Sequence, residues 1–347
     1  MKLVDVNLTL NNERKKQLRQ DDKYIHVMKY MGSKRELLPD IRHAVENMVQ
    51  KGATILDIFA GTASVGAYLK EDYNIFSNDI QTYSRTIAQA LIESSSIELP
   101  KNIDDLISQL DQSYIKNKTK LVNQLKNTYN RSVQFAAKTD WNDKERIEYL
   151  TFFQEFPAPD NKFKTSNEEL QWLTEEYLKQ NKKIKKTFPY LQTTFLFSET
   201  YFSLEQAIDI DSLRYAIDDK IQDEILKSIF LAALIYAYSY CSSGTGHFAM
   251  FRDLTTVNAI RDTFIYRQRS VVQFFKNKLF ELLQYHTYLP ERNFKVFSSD
   301  YAQLLNYEDI KNVDLIYADP PYSFVHYSRF YHAIESLIKY DLSLIHI

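Results

Sequence analysis

"ATILDIFAGTASVGAYLK", residues 53–70, carries a short apolar run, a turn that contains glycine, and then the start of a helix. "YNIFSNDI" (73–80) follows as a second strand that ends in an acid, and "SRTIAQALIESS" (84–95) has the pattern of the next helix. Strand signals return at "FKVFSSD" (294–300) and "VDLIYAD" (313–319). Strands that alternate with helices in this way predict an α/β fold with a doubly wound, mostly parallel sheet.

The middle of the chain has a different character. Residues 101–290 are mostly helical in pattern and rich in Lys, Asn, Gln and Tyr. A long helical excursion between two parts of one sheet is best interpreted as an inserted domain. We therefore predict a polar leader over 1–24, a sheet domain built from 25–100 and 291–347, and a helical insert over 101–290.

The composition excludes several classes of protein. Lys+Arg 43 against Asp+Glu 45 gives a net charge of -2, so any contact with nucleic acid depends on local clusters of charge. The single cysteine, Cys241, excludes an intrachain disulfide framework and predicts a reducing, cytoplasmic setting. The apolar run 229–238 is too short to span a bilayer and predicts a buried helix, so we expect no membrane. No His, Asp or Glu cluster has metal-ligand spacing, and we expect no metal.

The glycine-containing turn after the first strand is the first candidate site. In open parallel sheets, ligands lie beyond the carboxyl ends of the strands, where a glycine lets the backbone approach them. Asp57, Phe59 and Gly61 mark this position, and Ala63 rules out the G-x-G-x-x-G dinucleotide fingerprint. By itself the stretch is equally typical of strand–turn–helix packing without a ligand.

Asp79 ends the second strand. A carboxylate here can accept two hydrogen bonds from a ribose diol, and its spacing after Asp57 fits the strand–helix–strand unit in which an acid meets a ribose. A helix N-cap or turn acid is the alternative.

"KYMGSKRELLP" (29–39) places an aromatic residue, a glycine and two cations just before a predicted helix. Lys34 can pair with a carboxylate, and Gly32 allows close approach of the backbone. The alternative is the solvated start of a helix.

"DPPY" (319–322) is the stretch with the most specific chemistry. An exocyclic amine on a nucleobase is a poor nucleophile, because its lone pair is delocalised into the ring. Asp319 and the carbonyl of Pro320 supply two acceptors for its two hydrogens, and Pro321 helps to fix the backbone. Tyr322 offers a face on which an extruded base can stack. A proline turn after a strand is the alternative.

Together these stretches, in this order, resemble the Dam-like group of DNA adenine-N6 methyltransferases. The resemblance implies a Rossmann-like methyltransferase fold, S-adenosylmethionine as methyl donor, double-stranded DNA as partner, and an insert that recognises the target. It also implies a cognate restriction endonuclease that acts on the same site. Donor-binding positions implied by the motifs are Tyr30, Gly32, Lys34, Asp57, Phe59, Gly61, Asp79, Asp300 and Tyr301. Implied catalytic positions are Asp319, Pro320, Pro321 and Tyr322.

The sequence departs from the family pattern in two places. The first is mild: Ala63 replaces a small residue or glycine in the donor loop. The second is the short tail after Tyr322, since the family's sheet continues with several more strands there. We therefore expect a truncated chain that binds donor or DNA weakly and is inactive by itself.

The segment 261–283 has basic residues next to aromatic ones, which is typical of a helix that faces phosphates. We predict DNA contacts from Arg261, Arg267, Arg269 and Lys276, with an ordinary solvated helix face as the alternative.

Two other functions remain open. Cytosine-N4 methylation poses the same chemical problem, although a serine in place of Asp319 would favour it. The chain could also be a DNA-binding remnant without catalysis.

Overall fold

The computed structural model describes residues 25–30, 32–158, 162–183, 186–244, 246–320 and 327–340. The predicted catalytic residues Pro321 and Tyr322 lie outside the described residues, as does the predicted leader 1–24.

A four-stranded sheet lies at the centre of the fold, and every pairing in it is parallel. Its strands are β1 (Thr54–Asp57), β2 (Asn74–Asn78), β3 (Phe294–Phe297) and β4 (Leu315–Tyr317), in the spatial order β3-β2-β1-β4. Strand β1 is central: Ile55 is in register with Ile75 on one side and with Leu315 on the other. The predicted α/β class with a parallel sheet is confirmed.

Helices make up most of the remaining described chain. The first three are α1 (Leu38–Met48), α2 (Ser64–Leu69) and α3 (Thr82–Leu91). The predicted insert contains α4 (Ile103–Gln124), α5 (Lys126–Ala136), α6 (Asp143–Gln154), α7 (Glu168–Lys183), α8 (Gln192–Phe197), α9 (Leu204–Lys220), α10 (Glu224–Cys241), α11 (Val257–Arg267) and α12 (Val271–Tyr285). Two more follow, α13 (Tyr301–Leu304) and α14 (Tyr327–Lys339). Short 3-10 turns occupy Arg35–Leu37, Glu93–Ser96 and Glu308–Asn312.

Successive side chains along each strand point to opposite faces of the sheet. Ile55 and Ile75 point into the main hydrophobic core, whereas Leu56 and Phe76 belong to a small cluster on the opposite face with Leu304. The main core also takes residues from α3, α9, α10, α12 and α14. One core thus crosses the boundaries of the predicted domains, and the domain division itself stays a prediction.

Helix α10 is the apolar centre of this core. Among the described residues it is the helix long and apolar enough to cross a membrane, and most of it is buried inside the protein. It packs against α3, α9 and α12. The prediction of a buried helix over 229–238 is confirmed.

A second core lies within the predicted insert and is rich in aromatic rings. Trp141 and Tyr149 both contact Phe264, with ring centroids 4.5 Å and 5.1 Å from it. Beside them, a buried ion pair joins Arg267 Nη1 to Glu199 Oε2 at 2.7 Å. The Tyr149–Phe264 contact is edge-to-face, a geometry that stabilises a core beyond simple burial.

Candidate functional site

A cavity of about 340 Å³ opens at the carboxyl ends of β1, β2 and β4. Its wall includes every described residue that the motifs predicted for donor binding or catalysis: Tyr30, Gly32, Lys34, Asp57, Phe59, Gly61, Asp79, Asp300, Tyr301, Asp319 and Pro320. The parallel topology explains this, because strand ends far apart in sequence meet at one edge of the sheet.

The turn between β1 and α2 forms the floor of the cavity. Ala60 N donates to Asn78 O at 2.8 Å, and Gly61 N donates to Asp79 Oδ2 at 2.9 Å. Gly61 has a φ of +53°, and a Cβ there would lie 3.2 Å from the hydroxyl of Tyr30. Glycine at 61 therefore satisfies both the left-handed backbone and the close approach of the Tyr30 ring.

Asp79 holds this turn in place. Its second oxygen, Oδ1, accepts from Gln81 N at 2.9 Å, so each oxygen has a backbone donor. Burial raises the pKa of Asp79, while these backbone donors oppose the shift. The geometry thus matches the alternative prediction for Asp79, an acid that stabilises a turn. Each carboxylate oxygen can accept a second hydrogen bond, so the ribose contact stays a prediction.

Asp57 is the most perturbed acid of the cavity. It is 2% exposed, and burial, together with the negative charges of Asp79 and Asp319, raises its pKa to about 8. Its Oδ1 is buried and has no hydrogen-bond partner among the described residues. A buried polar atom without a partner is costly, so this oxygen indicates a ligand that carries a donor or a positive charge.

Asp319 follows β4 and reaches the same cavity. Lys34 Nζ lies 2.5 Å from Asp319 Oδ2, and each side chain is 18% exposed. The pair joins the "KYMGSK" stretch to the "DPPY" stretch across most of the chain length. The ion pair also orients the Asp319 carboxylate, which is part of the cavity wall.

Two aromatic rings in contact with each other line the cavity. Phe59 and Tyr301 have ring centroids 5.5 Å apart, and Tyr301 is 51% exposed. Asp300 is the N-cap of α13, since its Oδ1 accepts from Ala302 N and Gln303 N. Flat rings in the cavity wall, next to an acid, suit a ligand with a planar base.

Several residues that support the cavity wall were missed by the sequence reasoning. Tyr331 stacks on Tyr30 with 5.2 Å between ring centroids and contacts Tyr83 at 5.7 Å. Glu335, one turn later in α14, accepts from the backbone N–H groups of Thr82 and Tyr83, each at 3.0 Å. The helical spacing of Tyr331 and Glu335 is the signal that could have found them.

Asn78 is another missed residue. Its side chain donates to Ile58 O and Ser299 O and accepts from Ser299 N. It thereby joins the carboxyl ends of β1, β2 and β3 next to the cavity.

The predicted DNA contacts need one correction. Arg267 is 1% exposed and forms the buried ion pair with Glu199, so it does not face phosphates. The basic pattern of 261–283 gave no sign of this, because the burial of Arg267 depends on an acid that is distant in sequence. Arg261 donates to Trp141 O, and Lys276 pairs with Asp111 at 2.7 Å. Their contacts with DNA, like those of Arg269, stay predictions.

No group of three or more His, Cys, Asp or Glu side chains suited to a metal occurs within the described ranges.

Residues 30–158 match the family of D12 class N6 adenine-specific DNA methyltransferases. The matched stretch runs from Tyr30 through the glycine turn and Asp79 into the predicted insert. The predicted resemblance to DNA adenine-N6 methyltransferases is confirmed by this match.

Curated relatives extend the similarity over most of the chain. Modification methylase LlaI of Lactococcus lactis subsp. lactis is 23% identical over 318 residues, which are 90% of this chain and 39% of that protein. Type II methyltransferase M.FokI of Planomicrobium okeanokoites is 24% identical over 325 residues, 90% of this chain and 37% of that protein. The chain thus spans less than two fifths of the length of these relatives. No solved structure matches it significantly.

Proposed function

We propose that this chain transfers a methyl group from S-adenosylmethionine to adenine N6 in double-stranded DNA, as part of a restriction-modification system. The observation that carries the proposal is the meeting of Asp57, Gly61 and Asp319 in one cavity. The family match favours adenine over cytosine as the target. The proposal includes a cytoplasmic location and a cognate endonuclease with the same recognition site.

The cavity residues fit the proposed donor. Gly61 lets the Tyr30 ring pack against the turn at the cavity floor, and the unpartnered oxygen of Asp57 suits a positively charged group. Asp79 would hold the ribose, while Phe59, Asp300 and Tyr301 would hold the adenine of the donor. S-adenosylmethionine, when bound, supplies an electrophilic methyl group.

The other side of the cavity fits the amine of the target base. Asp319 accepts a hydrogen bond from one N6–H of the adenine, and the Pro320 carbonyl accepts a hydrogen bond from the other. These two bonds localise the nitrogen lone pair for attack on the methyl group. Lys34 positions the Asp319 carboxylate through the ion pair at 2.5 Å. A base inside the duplex cannot reach a cavity of this kind, so the adenine must be flipped out, and Tyr322 is the proposed stacking platform.

The test combines donor binding with product analysis. The purified chain is titrated with S-adenosylmethionine by calorimetry, and is then incubated with duplex DNA and methyl-labelled donor. Saturable donor binding and label in N6-methyladenine would support the proposal, and they would refute the expectation that the chain is inactive by itself. Label in N4-methylcytosine would favour the cytosine alternative. Absence of donor binding would favour a remnant without catalysis.

A further inference from the structure

Three cationic side chains surround one tyrosine outside the cavity. Lys29 Nζ and the guanidinium carbon of Arg252 each lie 5.2 Å from the centre of the Tyr266 ring, and that of Arg269 lies 4.3 Å from it. Each of these distances is within the range of a cation–π interaction. We call Lys29, Arg252 and Arg269, with Tyr266, the cation cluster.

The cluster assembles around the carboxyl end of α10. The Lys29 backbone N–H donates to Ser239 Oγ, Arg252 Nε donates to Ser243 O at 3.1 Å, and Arg269 Nη1 donates to Tyr240 O. The negative end of the α10 dipole stabilises nearby cations. That end carries only about half an elementary charge, which is too little to balance three cations.

Acidic partners of the cluster are few. Asp262 Oδ2 lies 3.7 Å from Arg252 Nη1, and the Asp262 side chain is 62% exposed. Lys29 and Arg269 have no ion pair with an acid within the described part of the chain. Burial lowers the pKa of Lys29; Tyr266 opposes this shift, and the neighbouring Arg269 and Arg252 add to it. The cluster therefore has an excess of positive charge in a partly buried place, which an anion would relieve.

The cluster lies beside the proposed active site. Lys29 directly precedes Tyr30, whose ring covers the glycine turn. The loop that carries Arg252 is joined to α14 by the hydrogen bond from Phe248 N to Phe330 O at 2.8 Å. Helix α14 begins shortly after the "DPPY" stretch. An anion held by the cluster would therefore be next to a nucleotide whose base enters the cavity.

We propose that Lys29, Arg252 and Arg269 form a clamp for one backbone phosphate of the DNA that flanks the target nucleotide. This inference rests on the proposed function, because it assigns the anion to the DNA substrate. A phosphodiester has two free oxygens, which match the fork of an arginine guanidinium. Its single negative charge also fits the partly compensated charge of the cluster. The clamp would fix the register of the duplex without reading its sequence.

The test is the salt dependence of duplex binding without methyl donor, measured by fluorescence anisotropy between about 50 and 200 mM NaCl. Arg252→Gln and Arg269→Gln should each weaken binding at low salt by about tenfold, the loss of one charge-assisted hydrogen bond. The double variant should lower the slope of log K against log salt by about 0.9, the value for one phosphate. Lys51→Met is the control, since Lys51 pairs with Asp72 near the amino end of β1, away from the cavity.

A second variant separates charge from folding. Arg269→Lys keeps the positive charge while it changes the hydrogen bond to Tyr240 O, so its slope should equal that of the unsubstituted chain. An unchanged slope in the double glutamine variant would overturn the clamp, as would an equal loss of affinity in Lys51→Met. Absence of any duplex binding would overturn it too. Donor titration reports separately on the cavity, so failure of the clamp can be distinguished from failure of the proposed function.

Discussion

The carboxyl group of Asp57 combines burial, two acidic neighbours and an oxygen without a hydrogen-bond partner among the described residues. These conditions disfavour its charged form until a positively charged ligand arrives. Because its pKa is raised to about 8, the group is mostly protonated at neutral pH in the ligand-free protein. Donor binding should therefore be coupled to the loss of this proton.

We expect donor binding at about pH 7 to release a proton, and donor affinity to rise with pH up to about 8. Calorimetry in two buffers that differ in ionisation enthalpy measures the released proton directly. Asp57→Asn should abolish the release. Identical binding enthalpies in both buffers for the unsubstituted chain would contradict the assigned role.

The same group makes a prediction about stability. The folded pKa of Asp57 lies above the ordinary value of 3.8, so the native state binds more protons than the unfolded state between these two pH values. The contribution of Asp57 to the free energy of unfolding should therefore decrease as pH rises from about 4 to about 8. Denaturant titrations of the ligand-free chain and of Asp57→Asn at several pH values measure how the difference in their free energies of unfolding changes with pH.

Asp319 is the residue on which the proposed chemistry depends. Asp319→Asn should lower methyl transfer by about a hundredfold or more, because a neutral amide oxygen is a weaker acceptor for the amine than the carboxylate, and should leave donor affinity nearly unchanged. Asp314→Asn is a matched control in the same segment, since Asp314 accepts from Thr54 N at the opposite end of the strand. Equal losses of transfer and donor affinity in Asp319→Asn would argue for a role in donor binding instead.

At the scale of the element, the packing of α2 on the sheet depends on Gly66. A Cβ at this position would lie 2.6 Å from Ile92 Cδ1 and 2.8 Å from Ile75 Cγ2. The helix that follows the glycine turn can therefore approach the sheet only without a side chain here. This close approach sets the position of the turn that forms the cavity floor.

We expect Gly66→Ala to lower the free energy of unfolding by about 1–3 kcal/mol, the usual cost of overpacking. Ile92→Val removes the nearer of the two clashing atoms, so the double variant should lose less than the sum of the single variants. Urea denaturation of all three gives the coupling. Strict additivity would show that the clash with Ile92 is not the cause.

At the scale of the whole molecule, the second core depends on a buried charge pair. Arg267 reaches from the end of α11 to Glu199, which also accepts from Ser132 Oγ and Tyr149 Oη. The pair connects segments that are far apart along the chain. Its role is structural, in contrast to the phosphate contact that the sequence predicted for Arg267.

Arg267→Met should lower the free energy of unfolding by about 3–5 kcal/mol, because it leaves the Glu199 carboxylate buried without its cation. Adding Glu199→Gln should recover part of this loss, since the remaining group is then neutral. Thermal and urea denaturation measure both variants. If the Arg267→Met chain were stable but bound DNA more weakly, the result would instead support the phosphate contact that the sequence predicted for Arg267.

The local pattern of the sequence determined the class of fold and most of the cavity wall. Alternation of short apolar runs with helical stretches predicted the parallel sheet, and the acid at each strand end predicted where Asp57, Asp79 and Asp319 would meet. This prediction succeeded because parallel strands place their carboxyl ends at the same edge of the sheet. The position of each motif at the end of a strand therefore also determined where it lies in the fold. The structure added Asn78, Tyr331 and Glu335. Helical spacing places Tyr331 and Glu335 on one face of a helix, but the cavity residues that each of the three contacts are distant in sequence.

Only the tertiary structure decided which charges face solvent and which hydrophobic segments share a core. Arg267 and Arg269 lie two residues apart in one basic stretch, yet one is buried against Glu199 and the other joins the cation cluster. Helix α10 lies within the predicted insert, yet it packs in the same core as the sheet. The physical reason is that burial and charge pairing are set by contacts between distant parts of the chain, whereas strand, turn and helix patterns are set by neighbours in sequence.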